Sequence, residues 1–524
     1  MKLVIDDIAL GPERDPEGLP GIVAAEYGLS SLTLFRLLRR SMDARKKSDI
    51  VYRYRVLIEV EDAEGERLLE KKEVSPWSEV ISPPAVKKSF AVRPVIVGSG
   101  PAGLFCALRL IESGAEVDIL ERGSRVETRM KDIALLESKG LLNGESNVLF
   151  GEGGAGTYSD GKLTTRIHRG EVRWVIEALA GFGAPASILY DAKPHIGTDR
   201  LQEILKNIRG RIESSGSRFH FNARVDDIIV RDGAIAGVRT AAGGEFLSGA
   251  VVLAMGHSAR DTYGILEKCG IALEKKGFAV GLRVEHPREM IDEIQFGPRA
   301  SERGLPAAEY SLAWSNPAGG RGVYTFCMCP GGSVINSSSE EGRLCLNGMS
   351  NSLRAGKFSN AALVAGVGPD DLPGGALAGI EFQRRLEEAA FLSGGGGFAA
   401  PAQRVESFLK GRLDASLPAG TYRPACVPAR LDTLLPDWIT AELKSAISVF
   451  NRKMRGFVSA EALLLGVEAR TSSPVRVLRG EDCQSVSVQG LFPAGEGAGY
   501  AGGIVSSAVD GVRVADAIIT SRGR

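Results

Sequence analysis

The spacing of apolar residues changes several times along this 524-residue chain, and each change predicts a different kind of element. Over residues 51–60, Tyr52, Tyr54, Val56, Ile58 and Val60 alternate with a mixed set, the period of a half-buried strand. Upstream, Leu34, Phe35 and Leu38 share one face of a helical wheel, behind Ser30 or Ser31 as a capping residue, so a helix is expected there. Together these predict a small α/β module over 1–88. It ends in SPPAVKKS (82–89), whose two prolines and two lysines read as a linker.

From Val92 the pattern becomes strand, glycine loop and helix. In PVIVGSGPAGLFCALRLIESGAEVDILERG (94–123) an apolar strand ends at Val97, a helix turns Leu104, Ala107, Leu108 and Ile111 inward, and a second strand ends in Glu121. That order is the signature of a βαβ unit in a parallel sheet. Residues 277–465 are less regular, broken by NPAGGRG (316–322), GVGPDDLPGG (366–375) and SGGGG (393–397), and read as an inserted substrate or cap region. From 466 glycine-rich turns and an apolar helix return, so the expected units are 1–88, 89–276, 277–465 and 466–524, the second and fourth forming one nucleotide domain.

Charge and composition narrow the classes. Lys+Arg and Asp+Glu are 64 each, which argues against an extended nucleic-acid footprint. No apolar run reaches the ~18 to 20 residues of a membrane span. The start, MKLVIDDIALG, carries acids where a signal peptide needs a basic end, and seven cysteines are too sparse for a secreted disulfide scaffold. A cytoplasmic protein without membrane or nucleic-acid partners is expected. Five histidines show no metal-ligand spacing, so no metal is expected.

Gly98, Gly100 and Gly103 have GxGxxG spacing. The first permits a tight turn, the second lets backbone approach a pyrophosphate, and the third lets helix pack on strand, while the helix N-terminus stabilises phosphate charge. Glu121, 23 residues after Gly98, is placed to accept hydrogen bonds from ribose hydroxyls. Ser99, Pro101, Ala102, Arg122 and Arg129 are counted with this nucleotide set. The fingerprint alone does not separate FAD from NAD.

Three separated segments resemble the glutathione-reductase-like flavoproteins: GAVVLAMG (249–256), the strand segment Arg224-Val225, and LFPAGEGAGYAGGIVSSAVDGVRVADAI (491–518). The resemblance implies FAD, with contacts from Val225, Ala254, Gly256, Gly495, Glu496, Gly502, Gly503 and Ile504; Glu496 stands where the class more often has Asp. More narrowly, NVLFGEGGAGTYSDGKLTTRI (147–167), AKPHIGTDRL (192–201), GHSARDTY (256–263), YTFCMCPGG (324–332) and NGMSNSLRAGKFSNAALVAGV (347–367) resemble a bacterial FAD-dependent dehydrogenase-like family over nearly the whole chain. The fold implied is α/β: a Rossmann-type FAD-binding domain, an inserted α+β substrate/cap domain and the small N-terminal α/β module. The activity implied is FAD-dependent oxidoreduction, without a substrate.

In the 151–163 string, Gly153, Gly154, Ala155 and Gly156 suit a backbone loop against the cofactor, and Thr157, Asp160 and Lys162 are candidates for ribityl or flavin contacts. Lys162 is either a cation that stabilises anionic reduced flavin or a surface lysine. His195 and His257 are each a proton donor, a substrate clamp or a structural residue. Arg260 and Asp261 are expected to pair with each other, and Arg283 with His286 to bind a substrate carboxylate. Cys327 and Cys329 read as buried thiols lining the site rather than a disulfide. With one fingerprint visible, NAD(P)H is expected only as a transient reductant. The alternative reading is a flavin-bound sensor or scaffold in which FAD is structural.

Overall fold

The computed structural model describes residues 1–78, 86–88, 90–298, 300 and 304–521. Most of the 82–89 linker lies outside these. Its nucleotide half is built on a five-stranded parallel sheet ordered Leu491–Pro493, Val251–Leu253, Val95–Val97, Asp118–Leu120, Arg218–His220. Strand alternation divides the core in two. Ile96, Ile119, Val252 and Phe492 face helices Pro101–Glu112 and Ile504–Thr520, while Val95, Val97, Leu120, Val251 and Leu491 face the opposite side. The two helices touch closely because Gly511 has no side chain: a Cβ there would lie 2.1 Å from the Ala102 carbonyl oxygen.

The second large sheet has seven strands, ordered Ala313–Ser315, Gly322–Cys329, Phe358–Val367, Phe278–Pro287, Leu463–Glu468, Ala400–Arg404, Cys426–Pro428. All its pairs are antiparallel except the last. Helices Ala378–Ser393 and Asp437–Lys453 cover it through Phe382, Leu386, Ile439, Leu443 and Phe450. Glu387 on the first helix joins the two halves. Its carboxylate is 2.7 Å from Arg260 on one side and 2.7 Å from Arg470 on the other, all three buried. Arg260 therefore does not pair with Asp261, as its sequence position suggests. Asp261 pairs with Arg122 instead.

The N-terminal module is a four-stranded antiparallel sheet ordered Leu34–Asp43, Val51–Glu59, Lys2–Leu10, Val74–Pro76, with helix Leu19–Tyr27 packed on Leu3, Ile5, Val56 and Ile58. The expected helix at Leu34 is a strand. Its apolar spacing suits either element, and pairing with Val51–Glu59 decides the matter by satisfying its backbone groups. Arg40 fixes the module to the nucleotide half through Asp191 at 2.7 Å. No helix among the described residues is long and apolar enough to cross a membrane.

Candidate functional site

A cavity of about 640 Å³ runs from the glycine turn of the parallel sheet to the underside of the seven-stranded sheet. The turn is shaped by close backbone approach. A Cβ on Gly103 would lie 2.0 Å from the Gly98 carbonyl oxygen, and one on Gly98, at φ +104°, would lie 2.3 Å from that of Ala254. Gly100 differs: the nearest atom to its missing Cβ is 3.9 Å away, and it lines the cavity at the start of helix Pro101–Glu112. A second helix, Ile504–Thr520, also begins at this cavity, behind Gly502 and Gly503, and neither helix has a side-chain cap. Two uncapped N-termini offer unsatisfied N–H groups and positive ends of helix dipoles to one space, which suits a pyrophosphate and an anionic ring.

Of the residues expected from sequence, Gly98, Gly100, Pro101, Ala102, Glu121, Arg122, Gly154, Ala155, Gly156, Asp160, Lys162, Val225, Ala254, Gly256, His257, Glu496, Gly502, Gly503 and Ile504 line this cavity. Glu121 is not a free acceptor, however. Its carboxylate accepts from Ser99 N (2.9 Å), Ser99 Oγ (2.7 Å), Gly123 N (2.9 Å) and Gly151 N (3.0 Å), so its first task is to hold the glycine turn against the 151–156 loop. Arg122 lies over the Phe150 ring and is bound by Glu145 and Asp261.

Eight expected residues stand behind the wall rather than in it. Ser99 and Gly103 shape the turn, and Gly495 donates to Asp510. Arg129 is fully buried and donates to the carbonyls of Asn147, Val148, Glu152 and Gly154, which makes it the organiser of that loop and no cofactor ligand. Gly153 packs against Leu205 and Thr157, and Thr157 bonds within the loop. His195 is held by the Ser352 carbonyl at 3.1 Å, and burial followed by Arg354 keeps its imidazole below the ordinary value.

Arg283 is the clearest correction. It is wholly buried and bonded to Glu468, Asn360 and the Cys327 carbonyl, so it presents no fork to a substrate. His286 lies three residues along the same strand, hence on its other face, bound to the Phe457 carbonyl. Burial pushes it down to about 4.

The far end of the cavity contains groups the sequence did not single out. Tyr310, Glu309, Asn347 and Glu468 line it beside Cys327, Lys162 and Lys193. Lys162 donates to the Met328 carbonyl. Burial raises the Asp160 carboxyl, but Arg354 and Lys162 outweigh it and hold it below the usual range; Arg354 also binds Glu309 at 2.8 Å. Burial pushes Glu468 up to about 7 despite Arg283. Its signal in sequence was an acid closing the apolar run LLLGVE. Among the described residues, the buried Tyr310 hydroxyl and His257 Nε2 have no partner, while His257 Nδ1 is 3.5 Å from Glu496. These open donors and acceptors, with the glycine cradle, fit a large polar cofactor.

A parallel sheet whose glycine turn and two helix starts face a long polar cavity defines a dinucleotide-binding protein. Residues 96–151 match the model of an NAD(P)-binding Rossmann-like domain, 277–471 that of the FAD-dependent protein C-terminal domain-like family, and 1–59 a domain of unknown function. A Clostridium beijerinckii protein, described as uncharacterized, is 41% identical over 533 residues, covering 99% of each chain. The chain belongs with it to a bacterial family of FAD-dependent proteins, and FAD is the cofactor. Among solved structures, L-proline dehydrogenase from P. horikoshii covers 83% of this chain and 94% of its own at 11% identity and TM-score 0.36. E. coli quinol fumarate reductase covers 83% and 71% at 14% and 0.35.

Proposed function

We propose that this protein transfers a hydride between FAD and an organic substrate held under the seven-stranded sheet. One observation carries the reading: a single cavity is lined at one end by the Gly98–Gly100 turn and at the other by Lys162, Tyr310, Cys327 and Glu468. Bound FAD would supply the two-electron redox chemistry. In this reading the N-terminus of helix Pro101–Glu112 holds the pyrophosphate, Val225 and Ala254 flank the adenine, and Glu496 and His257 hold the ribityl side. Gly502, Gly503 and Ile504 place the second helix start at the ring, where its dipole and Lys162 stabilise negative charge. The inserted sheet keeps water away, and NAD(P)H acts as a transient reductant.

Anaerobic mixing with NADH, NADPH and candidate reduced substrates tests this by the bleaching of the flavin band. Bleaching by at least one of them is expected. A flavin that none of them reduces would favour a structural cofactor instead.

A further inference from the structure

On the substrate side of the cavity, strand Gly322–Cys329 breaks its register with Phe358–Val367 between Phe326 and Cys329. Cys327 sits in that break at φ +42°, a left-handed conformation that residues with a Cβ rarely adopt. Neighbouring groups hold it there. Arg283 Nη2 donates to the Cys327 carbonyl at 2.8 Å and lies 3.6 Å from Cys329 Sγ, which itself reaches back to 3.3 Å from the same carbonyl. In an unbroken strand, same-face neighbours stand about 6.6 Å apart, near the limit for a disulfide; a bulge bends the chain and relaxes that constraint.

The electrostatics separate the two thiols. The hydrogen bond with Cys329, then Arg283 and Lys162, pull Cys327 below the ordinary thiol value, while the same hydrogen bond and burial push Cys329 well above it. Of the two, Cys327 is the thiol that lines the cavity. Tyr310 is 7% exposed and lines the same cavity, and its hydroxyl has no partner among the described residues.

We propose that Cys327 and Cys329 are a redox-active dithiol of this site, exchanging two electrons with FAD. The proposal rests on the flavin reading above. In the oxidative direction the Cys329 S–H bond breaks and the Cys327–Cys329 S–S bond forms. Two electrons and the Cys329 proton pass to FAD, and the negative charge leaves Cys327 for the reduced cofactor. The reverse step returns two electrons, opens the disulfide and restores one thiolate and one thiol.

The test uses FAD-loaded protein, reduced and then freed of reductant under anaerobic conditions. Iodoacetamide labelling across pH, read by peptide mass spectrometry, should modify Cys327 first, with a midpoint at least about one pH unit below the ~8.5 of a free cysteine. Diamide treatment should give a peptide spanning both cysteines that is lighter by two hydrogens. Flavin bleaching by excess dithiothreitol should be at least ~10-fold slower in Cys327→Ser and in Cys329→Ser. An ordinary midpoint, or no linked peptide, in protein that retains its flavin band overturns the dithiol alone. Absence of the flavin band from protein purified and reconstituted with FAD overturns both readings.

Discussion

Arg283 Nη1 stands 3.1 Å from Glu468 Oε2, and both side chains are almost entirely out of water. The pair joins two neighbouring strands of the large sheet where that sheet meets the cavity. Removing one partner of a buried ion pair strands the other, at about 3–5 kcal/mol, whereas replacing both with apolar groups is often neutral. Arg283→Met should therefore lower stability by that amount, and Arg283→Met combined with Glu468→Leu should recover most of it. Denaturant unfolding measures both; equal losses in the single and double variants would contradict the pairing.

The same carboxyl makes stability depend on pH. Burial pushes Glu468 up to about 7 in the folded chain, whereas an unfolded glutamate titrates near ~4.3. Between those values the folded state holds a proton that the unfolded state has released. The contribution is therefore full below the lower value and lost as pH rises towards the upper one, on the order of 3 kcal/mol. Glu468→Gln should flatten this part of the profile in urea midpoints compared at about pH 5 and about pH 7.5. An unchanged slope would show that another group is responsible.

Two glycines three residues apart, Gly100 and Gly103, should fail in different ways. Gly103→Ala drives a Cβ to within 2.0 Å of the Gly98 carbonyl oxygen, so it should destabilise the fold by about 1–3 kcal/mol and lose FAD with it. Gly100→Leu places its side chain in open cavity and should fold normally yet purify without flavin. Thermal melting and the visible spectrum of each protein distinguish the cases. Retention of FAD by Gly100→Leu would place the pyrophosphate elsewhere.

Lys162 places a cation at the substrate end, anchored to a backbone carbonyl and 3.9 Å from Asp160. Lys162→Met should keep its FAD and bleach about 10-fold or more slowly with an effective reductant. Stopped-flow absorbance reads the rate. An unaltered rate would leave the lysine a structural role only.

The glycine turn was legible because its physics is local: Gly98, Gly100, Gly103 and Glu121 act within one strand–helix–strand unit, and short-range spacing specifies them. The substrate end was not. Arg283, Cys327 and Glu468 meet only because Phe358–Val367 pairs with both Gly322–Cys329 and Phe278–Pro287, which in turn pairs with Leu463–Glu468. No periodicity within any one strand fixes that register, so Arg283 read as a substrate ligand and Glu468 and Tyr310 passed unnoticed. Leu34–Asp43 was misread for a related reason, since its partner strand, and not its own spacing, makes it extended.

Both oxygens of Glu387 accept from two arginines at once, Arg260 on the chain leaving the nucleotide sheet and Arg470 on the chain returning to it. The way out and the way back are thus fastened at a single point. Excising the inserted region would leave two buried guanidinium groups without a counter-ion, so the insert is no detachable cassette. Exchange of this region between relatives has to carry Arg260, Glu387 and Arg470 together, and heat should melt both halves in one transition.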